Sequence, residues 1–311
     1  MIVPSIYLFI YFYLISFFLV INGDDWFEIW VGLEVNMISF IMLMYYRFDM
    51  SCLESCLKYF FVQSLGSAML IGFLYLNVLS SILMLVLSYK MGAAPFYFWF
   101  PSVCSGLKWM SCFILMSFQK ILPLLLMLMY MSWLMMIIII MSLVLGTFGS
   151  FNQKDFKQLM AYSSVHHLGW IMLCGFYMDV IWLMYLLIYS FVIYMVMYIL
   201  KDNGILNFMM SGEWSKKWWF FFSMLSMAGM PPLLGFFLKW MAFVVIMDLG
   251  LMWMLILVIM SVIMFYVYFR IIYDMVLCFK MDMGYMKNLN IDYMGIMGLV
   301  MGLGVMLFLW M

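Results

Sequence analysis

From Met1 to Asn22 the chain reads "MIVPSIYLFIYFYLISFFLVIN", without one charged residue. A helix needs about 20 consecutive apolar residues to cross the hydrocarbon core of a bilayer. Similar runs recur along the whole sequence. Only 9% of the residues are charged, 70% are hydrophobic, and the mean hydropathy is +1.17. A soluble globule carries about 25% charged residues and could not cover such a surface. Barrel strands alternate apolar and polar side chains over about ten positions, whereas these runs are apolar on every face. The fold expected is all-α: a polytopic membrane protein of about eleven transmembrane helices.

The runs predict spans near residues 2–21, 25–46, 55–77, 79–100, 105–131, 133–149, 158–175, 180–200, 217–247, 251–279 and 291–310. Connections are short, so residues 1–311 read as a single integral-membrane domain. Loops 1–2, 3–4, 5–6, 7–8 and 9–10, numbered by the spans they join, contain no Lys or Arg. The alternate loops hold Arg47, Lys108, Lys154, Lys157, Lys201, Lys216, Lys217, Lys280 and Lys287. By the positive-inside rule those loops and the N-terminus face the cytoplasm or matrix, and the C-terminus faces the other side. The first basic residue is Arg47, so the N-terminal run matches neither a secretory signal nor an Arg-rich transit peptide. The 42 methionines and 13 tryptophans fit translation inside a mitochondrion, where ATA and TGA are often reassigned to Met and Trp.

Glu34, Lys90, Lys120 and Lys239 lie well inside apolar runs. A charge at bilayer depth costs about 2.5–3.5 kcal/mol on insertion scales. Such groups must face protein or a wet cavity. Burial disfavours the charged form of either a lysine or a carboxylate, so a buried Glu–Lys pair can serve as a proton switch or as a static bridge between helices. Two runs are also interrupted. Lys90 precedes "MGAAP", and "MAGMPPLLGFFLKW" places Pro231 and Pro232 between Gly229 and Gly235, with Lys239 beyond. Gly/Pro-interrupted helices at matching places in two halves point to inverted repeats. Repeat one would span about residues 2–131 and repeat two about 133–279, each of five helices, with a C-terminal helix at about 291–310.

"SFQKILP" sets Lys120 one turn before Pro123, and "LMAYSSVHHLGW" places two serines and adjacent histidines in one apolar helix. Neighbouring histidines project about 100° apart on a helix, which argues against a shared metal. No CxxC occurs among the six cysteines, and a net charge of zero leaves no basic patch for nucleic acid.

Six stretches, "WVGLEVNMISF", "ESCLKYFFVQSLGS", "KMGAAPFYFWFP", "FQKILP", "QLMAYSSVHHLGW" and "LSMAGMPPLLGFFLKW", fall in the order found in the subunit 2 family of NADH:ubiquinone oxidoreductase, respiratory complex I. The resemblance runs from about residue 26 to residue 245. It implies an antiporter-like, proton-translocating membrane-arm subunit of the mitochondrial, eleven-helix form, without the three additional N-terminal helices of bacterial relatives. By resemblance, Glu34, Lys90, Lys120, His167 and Lys239 are the proton-translocating residues. A redox signal from other subunits would shift the Glu34–Lys90 pairing, and a proton would pass by water and His167 toward Lys120 and Lys239. The family implies no cofactor in this chain. NADH, flavin, iron–sulfur clusters and ubiquinone belong to partner subunits. Expected partners are the other membrane-arm and accessory subunits and membrane lipids. The implied location is the mitochondrial inner membrane, multi-pass, with the N-terminus in the matrix and the C-terminus in the intermembrane space. Pro101 is followed by "SV", where the family often carries an acid. Two other roles stay open: a structural spacer of the same complex, and a subunit of a cation/proton antiporter.

Overall fold

Long runs of Leu, Ile, Met and Phe leave backbone amides no partner in lipid except one another, so helices form wherever the run is unbroken. The computed structural model describes residues 3–45, 49–75, 80–177, 180–201, 214–231, 233–247 and 251–279. All regular structure among the described residues is helical. The helices are α1 (Val3–Asn22), α2 (Trp26–Met44), α3 (Met50–Tyr75), α4 (Ser80–Met91), α5 (Trp99–Gly106), α6 (Trp109–Met116) and α7 (Ile121–Met129). They continue as α8 (Leu134–Phe151), α9 (Phe156–Tyr177), α10 (Ile181–Leu200), α11 (Trp214–Ala228), α12 (Leu234–Ile246) and α13 (Leu251–Phe279). A 3₁₀ turn, Phe118–Lys120, joins α6 to α7.

Among the described residues, six helical segments are long and apolar enough to cross a membrane: Trp26–Met44, Met50–Leu74, Trp109–Met129, Leu134–Phe151, Ile181–Leu200 and Met252–Asp274. Three expected spans are interrupted. The 79–100 run stops at Met91 and resumes at Trp99, and the 217–247 run stops at Ala228 and resumes at Leu234. Within 105–131 the break is the 3₁₀ turn. Pro123 has no N–H to offer the Gln119 carbonyl, and the ladder tightens there. Lys216 and Lys217, expected in or beside a loop, begin α11, where Lys217 is buried. Arg47, Pro232, Lys280, Lys287 and the expected 291–310 span lie outside the described residues.

The chain forms two compact units, Met1–Met172 and Leu173–Met311. In the first, α1 packs on α2, α2 on α3, α3 on α4 and α5, and α4 on α7 and α8. Glycines permit the closest crossings. A methyl on Gly32 would lie 2.6 Å from Val20 Cγ2, and one on Gly146 would lie 2.6 Å from the His166 amide nitrogen. In the second unit α10 packs on α11 and α12, and α13 on α11 and α12.

The first unit also sorts its loops. Lys108 Nζ pairs with Asp49 at 3.7 Å, and Lys157 Nζ donates to the Leu107 carbonyl at 2.6 Å. The α2–α3 and α5–α6 connections and the first turn of α9, three places that the charge pattern puts on one side, therefore meet at one end. Trp26 at the start of α2 and Tyr130 just after α7 meet with ring centroids 4.9 Å apart and planes tilted by 35°.

Candidate functional site

α4 ends at a glycine stop. Gly92 has φ +69°, its amide donates to Tyr89 O at 3.2 Å, and the Ala93 amide donates to Ser88 O at 2.9 Å. That is a Schellman cap, which needs a residue in the left-handed region. Two side chains also donate to carbonyls of the last turn, one of them to the Tyr89 oxygen already used by Gly92. The Trp99 indole donates to Tyr89 O at 3.1 Å, and Gln63 Nε2 donates to Lys90 O at 2.8 Å. The Ala94–Pro95 peptide is cis.

This cap fixes Lys90 in the last turn of α4, only 6% exposed. Its stem lies across Gly66 of α3, where a methyl would come 2.9 Å from Lys90 Cγ and 3.2 Å from Cε. Gln63 and Gly66 are three residues apart, so one face of α3 both receives the lysine stem and holds its carbonyl. Among the described residues, no protein acceptor lies within hydrogen-bond reach of Lys90 Nζ. Lys90 instead lines a cavity of about 20 Å³ together with Leu33, Asn36, Met37, Tyr59, Gln63, Gln119 and Pro123. A polar cavity needs about 10–15 Å³ on this measure to hold a water, so there is room for roughly one or two. Glu34, half-buried on α2, makes no ion pair with Lys90 within 4.0 Å. The expected Glu34–Lys90 pair is thus apart in this structure.

Around the cavity runs a chain of polar side chains. The Tyr59 hydroxyl donates to Gln119 Oε1 at 3.3 Å, and Gln119 Nε2 donates to Asn36 Oδ1 at 3.2 Å. Lys120, the residue after Gln119, is 2% exposed and faces elsewhere. Its ammonium donates to the Ser164 carbonyl of α9 at 3.1 Å and sits 4.8 Å from the centre of the Phe100 ring. A cation over an aromatic face is favourable, the more so when desolvated.

Within one turn of Ser164 on α9 are the two histidines, both buried, their ring centroids 5.6 Å apart. The Trp170 indole donates to His166 Nε2 at 3.1 Å. An indole only donates, so that nitrogen of His166 is committed to accepting. His167, the histidine that falls on the motif position, is 4% exposed.

In the second unit the α11 break repeats the same stop. Gly229 has φ +85°, its amide donates to Ser226 O at 3.1 Å, and the Met230 amide donates to Leu225 O at 3.2 Å. Residue 232 is proline and has no N–H for the Ala228 carbonyl, which lies four residues earlier. Lys239 Nζ donates to that carbonyl at 2.7 Å, and the lysine, 8% exposed, lies across Gly229, where a methyl would come 2.9 Å from Nζ.

The structure thus places Glu34, Lys90, Lys120 and His167 in the first unit and Lys239 in the second. Asn36, Tyr59, Gln63 and Gly66 were not singled out from the sequence. A glutamine and a glycine three residues apart in an apolar run are the only local signal for the last two.

Residues 71–264 match the family profile described as "NADH:quinone oxidoreductase/Mrp antiporter, TM". The chain is 39% identical over 242 residues to the NADH-ubiquinone oxidoreductase chain 2 of Anopheles gambiae, covering 71% of each. With the chain 2 of Locusta migratoria it shares 34% identity over 250 residues, 74% of this chain and 73% of the relative. A chain in the structure of respiratory complex I from Thermus thermophilus with bound aureothin has the same fold, with a TM-score of 0.75. The match covers 98% of this chain and 79% of that one at 22% identity. The Mrp complex from Dietzia sp. DQ12-45-1b contains a similar fold, with a TM-score of 0.66 at 17% identity over 79% of this chain and 56% of the other.

Proposed function

The chain belongs to the NADH:quinone oxidoreductase/Mrp antiporter family of membrane subunits, and on that premise we propose that it is the subunit 2 of a proton-pumping respiratory complex I, moving protons through its buried lysines. Redox chemistry proceeds in partner subunits that hold NADH, flavin, iron–sulfur clusters and ubiquinone. The chain sits in the mitochondrial inner membrane among other membrane-arm and accessory subunits, with the N-terminus in the matrix and the C-terminus in the intermembrane space. It spans the bilayer about eleven times. The matching glycine stops at Gly92 and Gly229 support two repeats, each with a helix that ends at a positive-φ glycine near a buried lysine.

The observation that carries this reading is Lys90. Its ammonium is buried, has no protein acceptor among the described residues, and faces a polar cavity with room for water. A group held in that way can give a proton to water and take one back. Glu34 supplies the control: its carboxylate favours the ammonium when near and lets the proton go when withdrawn. Within the first unit the next carriers are Lys120 and His167, and Lys239 serves the second unit.

A second reading has its own support. Lys120 and Lys239 both donate to main-chain carbonyls, as structural caps do, which fits a spacer with static charges. The double variant Glu34→Gln with Lys90→Met in the assembled enzyme separates the two. A pump keeps its assembly, seen as co-migration with NADH dehydrogenase activity in mild detergent, and moves fewer protons per electron. Lost assembly with an unchanged ratio in whatever enzyme remains would favour the spacer. A free-standing antiporter subunit would not co-migrate at all.

A further inference from the structure

Resting on the reading of Lys90 and Lys120 as proton carriers, we infer that Tyr59, Gln119 and Asn36 form a latch that closes the Lys90 cavity off from Lys120. The latch must open for a proton to cross. The three residues come from α3, the 3₁₀ turn and α2, and all three line the cavity. Gln119 is held at both ends of its amide, by the Tyr59 hydroxyl at 3.3 Å and by the Asn36 carbonyl oxygen at 3.2 Å. An amide cannot carry a proton as water or imidazole does: its N–H groups are not acidic and its oxygen is barely basic. A path that ends on a pinned amide is therefore shut, and the ammonium just beyond it points away, to Ser164 O and the Phe100 ring.

The latch sits where the backbone can yield. Gln119 lies within the three-residue 3₁₀ turn, which is tied to the end of α6 by a long 3.3 Å bond from the Lys120 amide to Ser117 O. Short 3₁₀ stretches inside a helix often mark hinges. Both side-chain bonds are long for their types, so the latch is weak enough to open during turnover. Rotation of Gln119 away from Tyr59 would let cavity water extend toward Lys120. Tyr59 itself is held by its ring, against Phe40 with centroids 5.3 Å apart and Trp99 at 6.1 Å. The moving part is then the glutamine, and Tyr59 and Asn36 are positioning residues.

The test uses the assembled enzyme in sealed vesicles, carrying Tyr59→Phe, Gln119→Met or both. Passive proton conductance is measured under an imposed pH gradient without NADH. Tyr59→Phe removes one latch bond and is expected to raise the open population, and the leak, roughly three- to tenfold, and Gln119→Met, which removes both bonds, should leak at least as much. The double variant should leak no more than the leakier single variant, since both changes undo one device. Unchanged or lower conductance in enzyme of normal yield overturns the latch; a lower leak would make Tyr59 a proton relay instead. If Tyr59→Phe does not assemble, Gln119→Met decides alone. Failure of both to assemble also overturns the proposal, because it marks the network as structural. Lys120→Met in the same vesicles separates the two levels. An unchanged proton-to-electron ratio there refutes the carrier reading, whereas a lowered ratio with no leak in the Tyr59 and Gln119 variants refutes the latch alone.

Discussion

Gly66 offers a way to move Lys90 without removing it. In Gly66→Ala the new methyl would lie 2.9 Å from Lys90 Cγ, 3.2 Å from Cε and 3.3 Å from Tyr89 Cδ1. Carbon atoms settle at about 3.5–4.0 Å, so the lysine stem must retreat by roughly 0.5–1 Å. Overpacking of this kind costs about 1–3 kcal/mol. Against that, replacing glycine by alanine inside a helix contributes about 0.5–1 kcal/mol of stability. The net loss is then about 0–2.5 kcal/mol, small enough for the enzyme to assemble while the ammonium is displaced in its cavity. Gly72, on the same helix, has nothing within 4 Å of a methyl and serves as the control. Gly72→Ala keeps the helix gain without the crowding, so its thermal inactivation midpoint should be unchanged or raised. The assay is that midpoint together with the proton-to-electron ratio of the assembled enzyme. Gly66→Ala is expected to lower the ratio and leave the midpoint equal or lower. If the two variants are indistinguishable in both measurements, Gly66 does not seat Lys90 as described.

Two further substitutions probe the other lysines. Lys239→Met leaves the Ala228 carbonyl without its donor, and residue 232, a proline, cannot replace it. A lower inactivation midpoint is expected, from a loss of about 1–3 kcal/mol, together with a lower proton-to-electron ratio. Lys157→Ala removes a 2.6 Å bond to the Leu107 carbonyl and a cation 5.0 Å from the Trp109 ring centre. About 2 kcal/mol of stability should go with them, read as a lower midpoint with an unchanged ratio, because this lysine caps α5 and lies outside the proton path.

Much of this architecture is visible in one dimension. A bilayer span is a length of apolar sequence, so α8, α10 and α13 begin and end close to where hydropathy puts them. A buried charge is costly enough to announce itself, which is why Lys90, Lys120 and Lys239 stand out before any packing is known. Proline and glycine mark the two helices that stop at Gly92 and Gly229 for equally local reasons. What depends on neighbours distant in sequence is hidden. Asn36, Tyr59, Gln63 and Gln119 look like scattered polar residues until α2, α3 and the 3₁₀ turn bring them around one cavity. Gly66 is silent until Lys90 lies across it. Tertiary bonds also secure the break after α4, where Gln63 and Trp99 donate to carbonyls of its last turn. The Glu34–Lys90 separation is a matter of side-chain placement that no spacing reveals.

The central claim is that Lys90 carries protons, and the most direct measurement is the number of protons moved per electron by the assembled enzyme with Lys90→Met. Methionine keeps an unbranched, flexible stem across Gly66 and removes only the titrating group. The account requires a lower ratio while NADH oxidation and assembly persist. An unchanged ratio in fully assembled enzyme would contradict it.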